Sequence, residues 1–222
     1  EPYRKDVFLA CKTGERERSA AEAEFKRSLE RLRTDHFDLY QLHGIADVKK
    51  DVDPVFAKGG VMDMLLEARK AGQIRFLGFS AHSTEAALAA LERYDFDSVL
   101  FPINFAAYLK GRFGPAVVEK AQQKGVALLA LKAMAAQKWP AEHPEQKNYP
   151  KCWYLPLVDP AQAELALRWT LSRPITAAVP PGAENLFRLA MECACRFKPV
   201  SPEEEARLVE LSATLTPVFE AA

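Results

Sequence analysis

A chain of 222 residues can bury one substantial core, and its 30 basic residues balance its 30 acidic ones, so no charge excess points to nucleic acid or a charged membrane surface. Hydrophobic residues make up 49%, yet no apolar run reaches the length of a spanning helix, and the opening Glu1-Pro2-Tyr3-Arg4-Lys5 lacks the pattern of a secretory signal. With no glycine- or proline-rich linker, residues 1–222 are expected to form a single cytoplasmic domain, a small-molecule enzyme or a protein-binding scaffold.

The first apolar run, residues 7–12, has strand character and closes on Lys12. A helix is predicted over 19–33, where Ser19 and Glu22 have the spacing of a capping box and Phe25, Leu29 and Leu32 share a face. The strand predicted at 37–43 closes on His43, and period two puts Leu39, Gln41 and His43 on one face while Tyr40 points to the helices. Helix 61–71 follows, with Gly72 as its left-handed cap, then a strand over 74–80 that ends in Ser80. His82 reads as a loop or cap residue, and Ser83 starts a helix that runs to about residue 94.

A strand over 98–104 ends in Asn104, a helix over 115–124 is stopped by Gly125, and a strand over 126–132 ends in Lys132. Residues 135–158, rich in proline and aromatics, are too long for an ordinary connection and are expected to be a functional loop over one end of the sheet. Within it, Trp139 and Trp153 are expected to anchor by packing. Asp159 and Pro160 open a helix over 160–172, a strand follows at 176–180, and helices are predicted at 184–195 and 202–215. Glu203, Glu204 and Glu205 complement the dipole of that last helix and are given no function.

Strands alternating with helices imply an α/β protein with parallel strands and crossover helices, in which chemistry collects at the carboxyl end of the sheet. Lys12 and His43 both lie there. The six strand–helix units fall two short of a closed (β/α)8 TIM barrel, and a doubly wound six-stranded sheet is the competing architecture. Against the latter, Lys12-Thr13-Gly14-Glu15-Arg16 carries one glycine where a phosphate loop needs several. Cys11, Cys152, Cys193 and Cys195 lack the repeated close pairs of a zinc or iron–sulfur site, so they are expected to be reduced buried thiols and no metal is expected.

Ser28-Leu29-Glu30-Arg31-Leu32-Arg33-Thr34-Asp35-His36-Phe37-Asp38-Leu39-Tyr40-Gln41-Leu42-His43-Gly44 resembles the most recognisable stretch of the aldo/keto reductase family, a helix running into the strand that ends in the active-site histidine. Lys12 resembles the family's catalytic lysine one strand earlier, and Gly72-Gln73-Ile74-Arg75-Phe76-Leu77-Gly78-Phe79-Ser80 resembles the strand whose serine approaches the nicotinamide. Ala166-Leu167-Arg168-Trp169 through Thr176-Ala177-Ala178-Val179-Pro180-Pro181-Gly182 resembles the last helix–strand unit, leading to the adenosine-phosphate pocket.

The resemblance implies a (β/α)8 barrel, incomplete at the N-terminus, that transfers a hydride from NADPH to a small-molecule aldehyde or ketone. Lys12 and His43 would be two of the family's four catalytic residues, and Ser80, Asn104, Lys132, Gly182 and Arg188 would contact NADPH/NADP. The family's aspartate and tyrosine would precede Glu1, so the first two strands are expected to be missing here, and Tyr3, at the amino end of its strand, cannot replace the tyrosine. Leu100, Leu131, Met191 and Glu192 depart from the family pattern around the cofactor. The alternative is a non-catalytic, cofactor-binding or interaction subunit of the same fold. Either form is expected to be a monomer or weak oligomer, with no nucleic acid or membrane partner.

Overall fold

The computed structural model of the chain describes residues 3–221. Its strands are β1 (Ala10–Thr13), β2 (Phe37–Ile45), β3 (Ile74–Ala81), β4 (Ser98–Pro102), β5 (Ala127–Leu131), β6 (Ala135–Gln137), β7 (Leu155–Pro156) and β8 (Ala177–Ala178). The helices are α1 (Arg18–Leu32), α2 (Asp53–Phe56), α3 (Val61–Lys70), α4 (Thr84–Arg93), α5 (Phe105–Leu109), α6 (Pro115–Lys124), α7 (Pro160–Leu171), α8 (Glu184–Cys195) and α9 (Pro202–Thr214). Six strands build one parallel sheet in the order β1-β2-β3-β4-β5-β8, the α/β pattern of (β/α)8 strand–helix units, and β6 pairs antiparallel with β7.

The chain divides into two compact units, Glu1–Leu100 with Gln123–Ala127, and Phe101–Gln122 with Leu128–Ala222. In the first, period two along β2 turns Tyr40 onto α1, where Phe25 meets it edge-on with ring centroids 5.0 Å apart, and Phe37, the first residue of the strand, also meets Phe25 at 5.6 Å. Phe79, Phe96, Leu65 and Leu91 extend this core under α3 and α4. Gly72 leaves α3 with φ +76° and Gly125 follows α6 with φ +66°, the left-handed stops expected of glycine.

Three expectations for this unit need correction. β1 starts only at Ala10, because residues 4–6 form a 3-10 turn and Leu9 uses its N–H on the Asp38 carboxylate (2.8 Å). Ser19 does not cap α1: the helix begins one residue earlier, and the Glu22 carboxylate that a capping box would use is held by Arg18 at 2.9 Å. Between β2 and α3 the chain forms a π-turn over Val48–Val52 and then α2, both unsignalled by apolar periodicity.

In the second unit Trp169 is fully buried, donates its indole N–H to Glu205 (3.1 Å) and meets Tyr108 at 5.3 Å. Beside it Arg168, 4% exposed, bonds the carbonyls of Lys198 and Pro199 and pairs with Glu204 (2.7 Å). Glu204 also closes a capping box with Ser201, and the Arg168 guanidinium, helped by the Ser201 N–H, holds its carboxyl down at about 2. The Glu203-Glu204-Glu205 run therefore does more than complement a dipole: two of its members anchor α9 to α7.

Residues 135–158 also differ from the irregular loop expected. β6 and β7 pair, a 3-10 turn spans Pro144–Asn148, and Trp139 anchors the excursion by donating to the Cys152 carbonyl (2.8 Å). Trp153, by contrast, is 58% exposed. The cysteines are free thiols, but only Cys152 and Cys193 are buried; Cys11 is partly covered and Cys195 is exposed. Among the described residues no helix is long and apolar enough to cross a membrane, and no His, Cys, Asp or Glu group has the makings of a metal site.

A tight packing constraint on the sheet itself is at Gly78, where a Cβ would stand 2.7 Å from the Ser98 carbonyl oxygen and closer still to its hydroxyl. Gly78→Ala is expected to cost about 1–3 kcal/mol of stability, read as a lower urea midpoint at unchanged slope. An unchanged midpoint would mean that Ser98 moves aside without cost.

Candidate functional site

The parallel ladder brings the first unit's predicted site residues to one end of the sheet. Lys12 on β1 stands opposite Gln41 on β2, Gln41 opposite Gly78 on β3, and Gly78 opposite Ser98 on β4. Partners in a parallel ladder share a face, so these four positions form one cross-strand rung with side chains on the same side. Gln41 is 1% exposed and Ser98 5%, and neither the Gln41 Nε2 nor the Ser98 Oγ has a hydrogen-bond partner. Two residues further along β2 and β3 come His43 and Ser80.

His43 is exposed as a residue, yet its ring is crowded enough that partial burial is the main cause of a proton affinity below the ordinary histidine value, reinforced by the charges of Lys12 and Arg16 and opposed by Glu24. A depressed folded-state value means that this histidine costs the fold nothing well above about pH 6.5, where it is neutral folded or unfolded, and works against the fold as pH falls. Ser80, 2% exposed, accepts the N–H of Gly44 (2.8 Å) and keeps its own hydroxyl proton to give. Gly44 has φ +70°, the backbone region that glycine tolerates best.

Arg16 and Asp51 went unmarked in the sequence because neither lies in an apolar run. Arg16 Nε and Nη2 lie 3.3 and 3.2 Å from Asp51 Oδ1, Nη1 donates to the Gly14 carbonyl (3.0 Å), and Nη2 donates to the His43 carbonyl (2.8 Å). The other Asp51 oxygen accepts the N–H groups of Ala46 and Asp47, both at 2.9 Å.

The remaining predicted residues belong to the second unit. Asn104 lies beyond the end of β4, against the expected strand over 98–104, and instead caps α5: its Oδ1 accepts the Ala107 N–H (3.0 Å), while its Nδ2 is buried and without a partner. Lys132 follows β5 with φ +64°, an unusual backbone for a residue with a side chain, and its Nζ lies 5.0 Å from the Trp153 ring centroid and 5.5 Å from that of Phe219. Burial brings its ammonium down to about 8.

Gly182 is exposed, and a Cβ there would meet nothing nearer than Lys151 Cδ at 4.0 Å, so its backbone is open to approach. Beside Pro180 and Pro181 lies an apolar cavity of about 80 Å³ whose lining includes Leu167, Val179 and Met191. Arg188, on α8, is mostly exposed and pairs with Glu184 one turn earlier (2.8 Å). An exposed i,i+4 pair is worth about 0.3–0.5 kcal/mol, weak enough for a phosphate to displace.

Comparison with known proteins places these residues in a family context. The model of the aldo/keto reductase family matches residues 1–151. "Protein tas" of Escherichia coli (strain K12) and of Shigella flexneri are each 28% identical over 120 residues, covering 48% of this chain; the match spans 35% of the length of these curated relatives. Aldo-keto reductase AKR11C1 from Bacillus halodurans superposes with a TM-score of 0.67 at 23% identity, covering 94% of this chain and 74% of that one. An aldo/keto reductase from Brucella melitensis gives 0.63 at 15% identity, with 94% and 74% coverage. At these identities the superpositions speak for the fold.

The Lys132 environment generates a direct expectation. Acetylation of lysines followed across pH by mass spectrometry should show Lys132 half-maximally reactive near pH 8. Trp153→Ala, which admits water, should move it up toward the ordinary lysine range. A Lys132 profile like that of the exposed lysines would refute the burial argument.

Proposed function

Because this chain belongs to the aldo/keto reductase family, we propose that it carries the lysine–histidine part of a site that reduces an aldehyde or ketone with NADPH. The observation behind this reading is the pairing of β1 and β2, which sets Lys12 and His43 two residues apart along one face at the carboxyl end of the ladder, with His43 biased toward its neutral form. The whole of residues 1–222 is read as one domain of the family, cytoplasmic, and a monomer or weak oligomer.

Bound NADPH would supply the hydride. A carbonyl that gains hydride at carbon gathers negative charge on oxygen, and a neutral histidine N–H stabilises that oxygen without giving up its proton at neutral pH. Lys12, as an ammonium, would favour the anionic form of a neighbouring phenol and so ease its proton transfer to the alkoxide, the part the family pattern gives to this lysine.

The cofactor-side residues fit a dinucleotide in kind. The unpartnered Asn104 Nδ2 is a buried donor suited to an amide or carbonyl, and Gly182 leaves backbone open to approach. Ser80 keeps a hydroxyl proton to give, and Lys132 and Arg188 offer cationic groups, of which a guanidinium matches a 2′-phosphate in two parallel bonds. Leu131 and Met191, where the family pattern has other residues, favour a second reading in which the cofactor binds without turnover.

In the protein as encoded, Lys12→Met and His43→Ala are each expected to lower kcat/KM for simple aldehydes by about a hundredfold or more. Unchanged turnover in both variants would sink the catalytic reading. NADPH fluorescence titrations separate the second reading, which predicts binding with no turnover on a broad aldehyde panel. Arg188→Ala should weaken NADPH by about tenfold and leave NADH unaffected, since only the former carries the 2′-phosphate.

A further inference from the structure

The carbonyl of His43 and the N–H of Gly44 belong to a single peptide plane, and both are held by side chains. Arg16 Nη2 donates to the oxygen at 2.8 Å, and Ser80 Oγ accepts from the nitrogen at 2.8 Å. One hold comes from the loop after β1, the other from β3, so the plane that follows His43 is fixed from the two strands flanking β2. Such double tethering of one peptide leaves the preceding residue little freedom in ψ, and with it the direction of its Cα–Cβ bond.

Arg16 is suited to this task in a way that a generic surface arginine is not. Its side chain is 16% exposed, and its nitrogens are spread over Asp51, the Gly14 carbonyl and the His43 carbonyl. Asp51 is in turn fixed by the N–H groups of Ala46 and Asp47, so the guanidinium has a rigid seat. The loop that leaves the Lys12 strand and the turn that leaves the His43 strand therefore meet on one side chain. A lysine at this position would keep the charge but could not span the same acceptors, because the planar fork is what reaches them together.

We propose that Arg16 is a positioning residue for His43, acting with Ser80 as a clamp on the His43–Gly44 peptide plane. The proposal rests on the reading of His43 as a catalytic residue and adds to it a support that no motif marks. Three charged groups surround the imidazole: Lys12 on β1, Arg16 on the loop after it, and Glu24 on α1. Loss of the Arg16 charge therefore moves the histidine titration upward, whereas loss of the Ser80 hold loosens the plane and leaves the charge in place.

The test follows the His43 ring titration and the Gly44 amide exchange by NMR in the chain itself, alongside Arg16→Gln, Arg16→Lys and Ser80→Ala. Arg16→Gln should raise the His43 pKa and speed Gly44 amide exchange by about tenfold or more, the loss of one charge-assisted hydrogen bond. Arg16→Lys should restore the titration but not the protection. Ser80→Ala should speed exchange with the titration near its original place, and it supplies the clamp measurement should Arg16→Gln fail to fold. Wild-type titration and wild-type exchange in a folded Arg16→Gln, or unchanged Gly44 exchange in Ser80→Ala, would overturn the proposal. Turnover of His43→Ala is judged separately: if it equals wild type, the catalytic reading fails while the exchange data still decide whether the clamp exists.

Discussion

The parallel register of β1 on β2, with Lys12 opposite Gln41, is the constraint on which the first unit's chemistry depends. A parallel pair cannot be joined by a tight turn, so α1 must carry the chain back, and its Phe25 covers Tyr40 on the outer face of β2. A slip of one residue would send Gln41 and His43 to the helix side and bring Tyr40 to the polar one. The aromatic contacts on one face and the titratable groups on the other are thus two consequences of the same pairing. Gly78 belongs to this logic as well, since a side chain there would drive β3 away from Ser98 and break the rung.

Polar groups inside this sheet are costly, which makes their disposition informative. Gln41 Nε2 and Ser98 Oγ are buried without partners on a rung they share with Lys12, and such groups lose about 1–3 kcal/mol when left unsatisfied. An apolar pair in these places would pack at lower cost, so the polar rung costs stability. In the second unit the buried Arg168 is instead compensated: it meets two carbonyls and a carboxylate, and the same Glu204 completes the cap of α9. The contrast is between one buried charge whose partners are all in place and a rung whose Gln41 Nε2 and Ser98 Oγ have none.

Much of the fold was legible because strand and helix periods differ so sharply. All six sheet strands and seven helices overlap the segments predicted for them, although β1 starts three residues late, β4 stops before Asn104 and β8 is two residues long, and Gly72, Gly125 and Asp159 hold the stop and start positions expected. The misses share a cause. α2, α5 and the β6–β7 pair are too short for periodicity to register, and their existence depends on partners distant in sequence. Ser19 failed as a cap for a related reason: Glu22 was drawn to Arg18, a competition that spacing alone does not reveal.

Strand–helix alternation, the family and the placing of Lys12 and His43 near strand ends can be read along the chain, because hydrophobic period and a long contiguous motif are local properties. What surrounds those residues follows from packing alone. That Arg16 reaches the His43 carbonyl across 27 positions, that Ser80 takes the Gly44 N–H, that Asn104 spends its oxygen on a helix cap, and that Trp153 shelters Lys132 are long-range or orientational facts. The first three depend on which backbone groups folding leaves unpaired and the last on where a ring comes to lie, and no pattern along the chain encodes either before the strands have met.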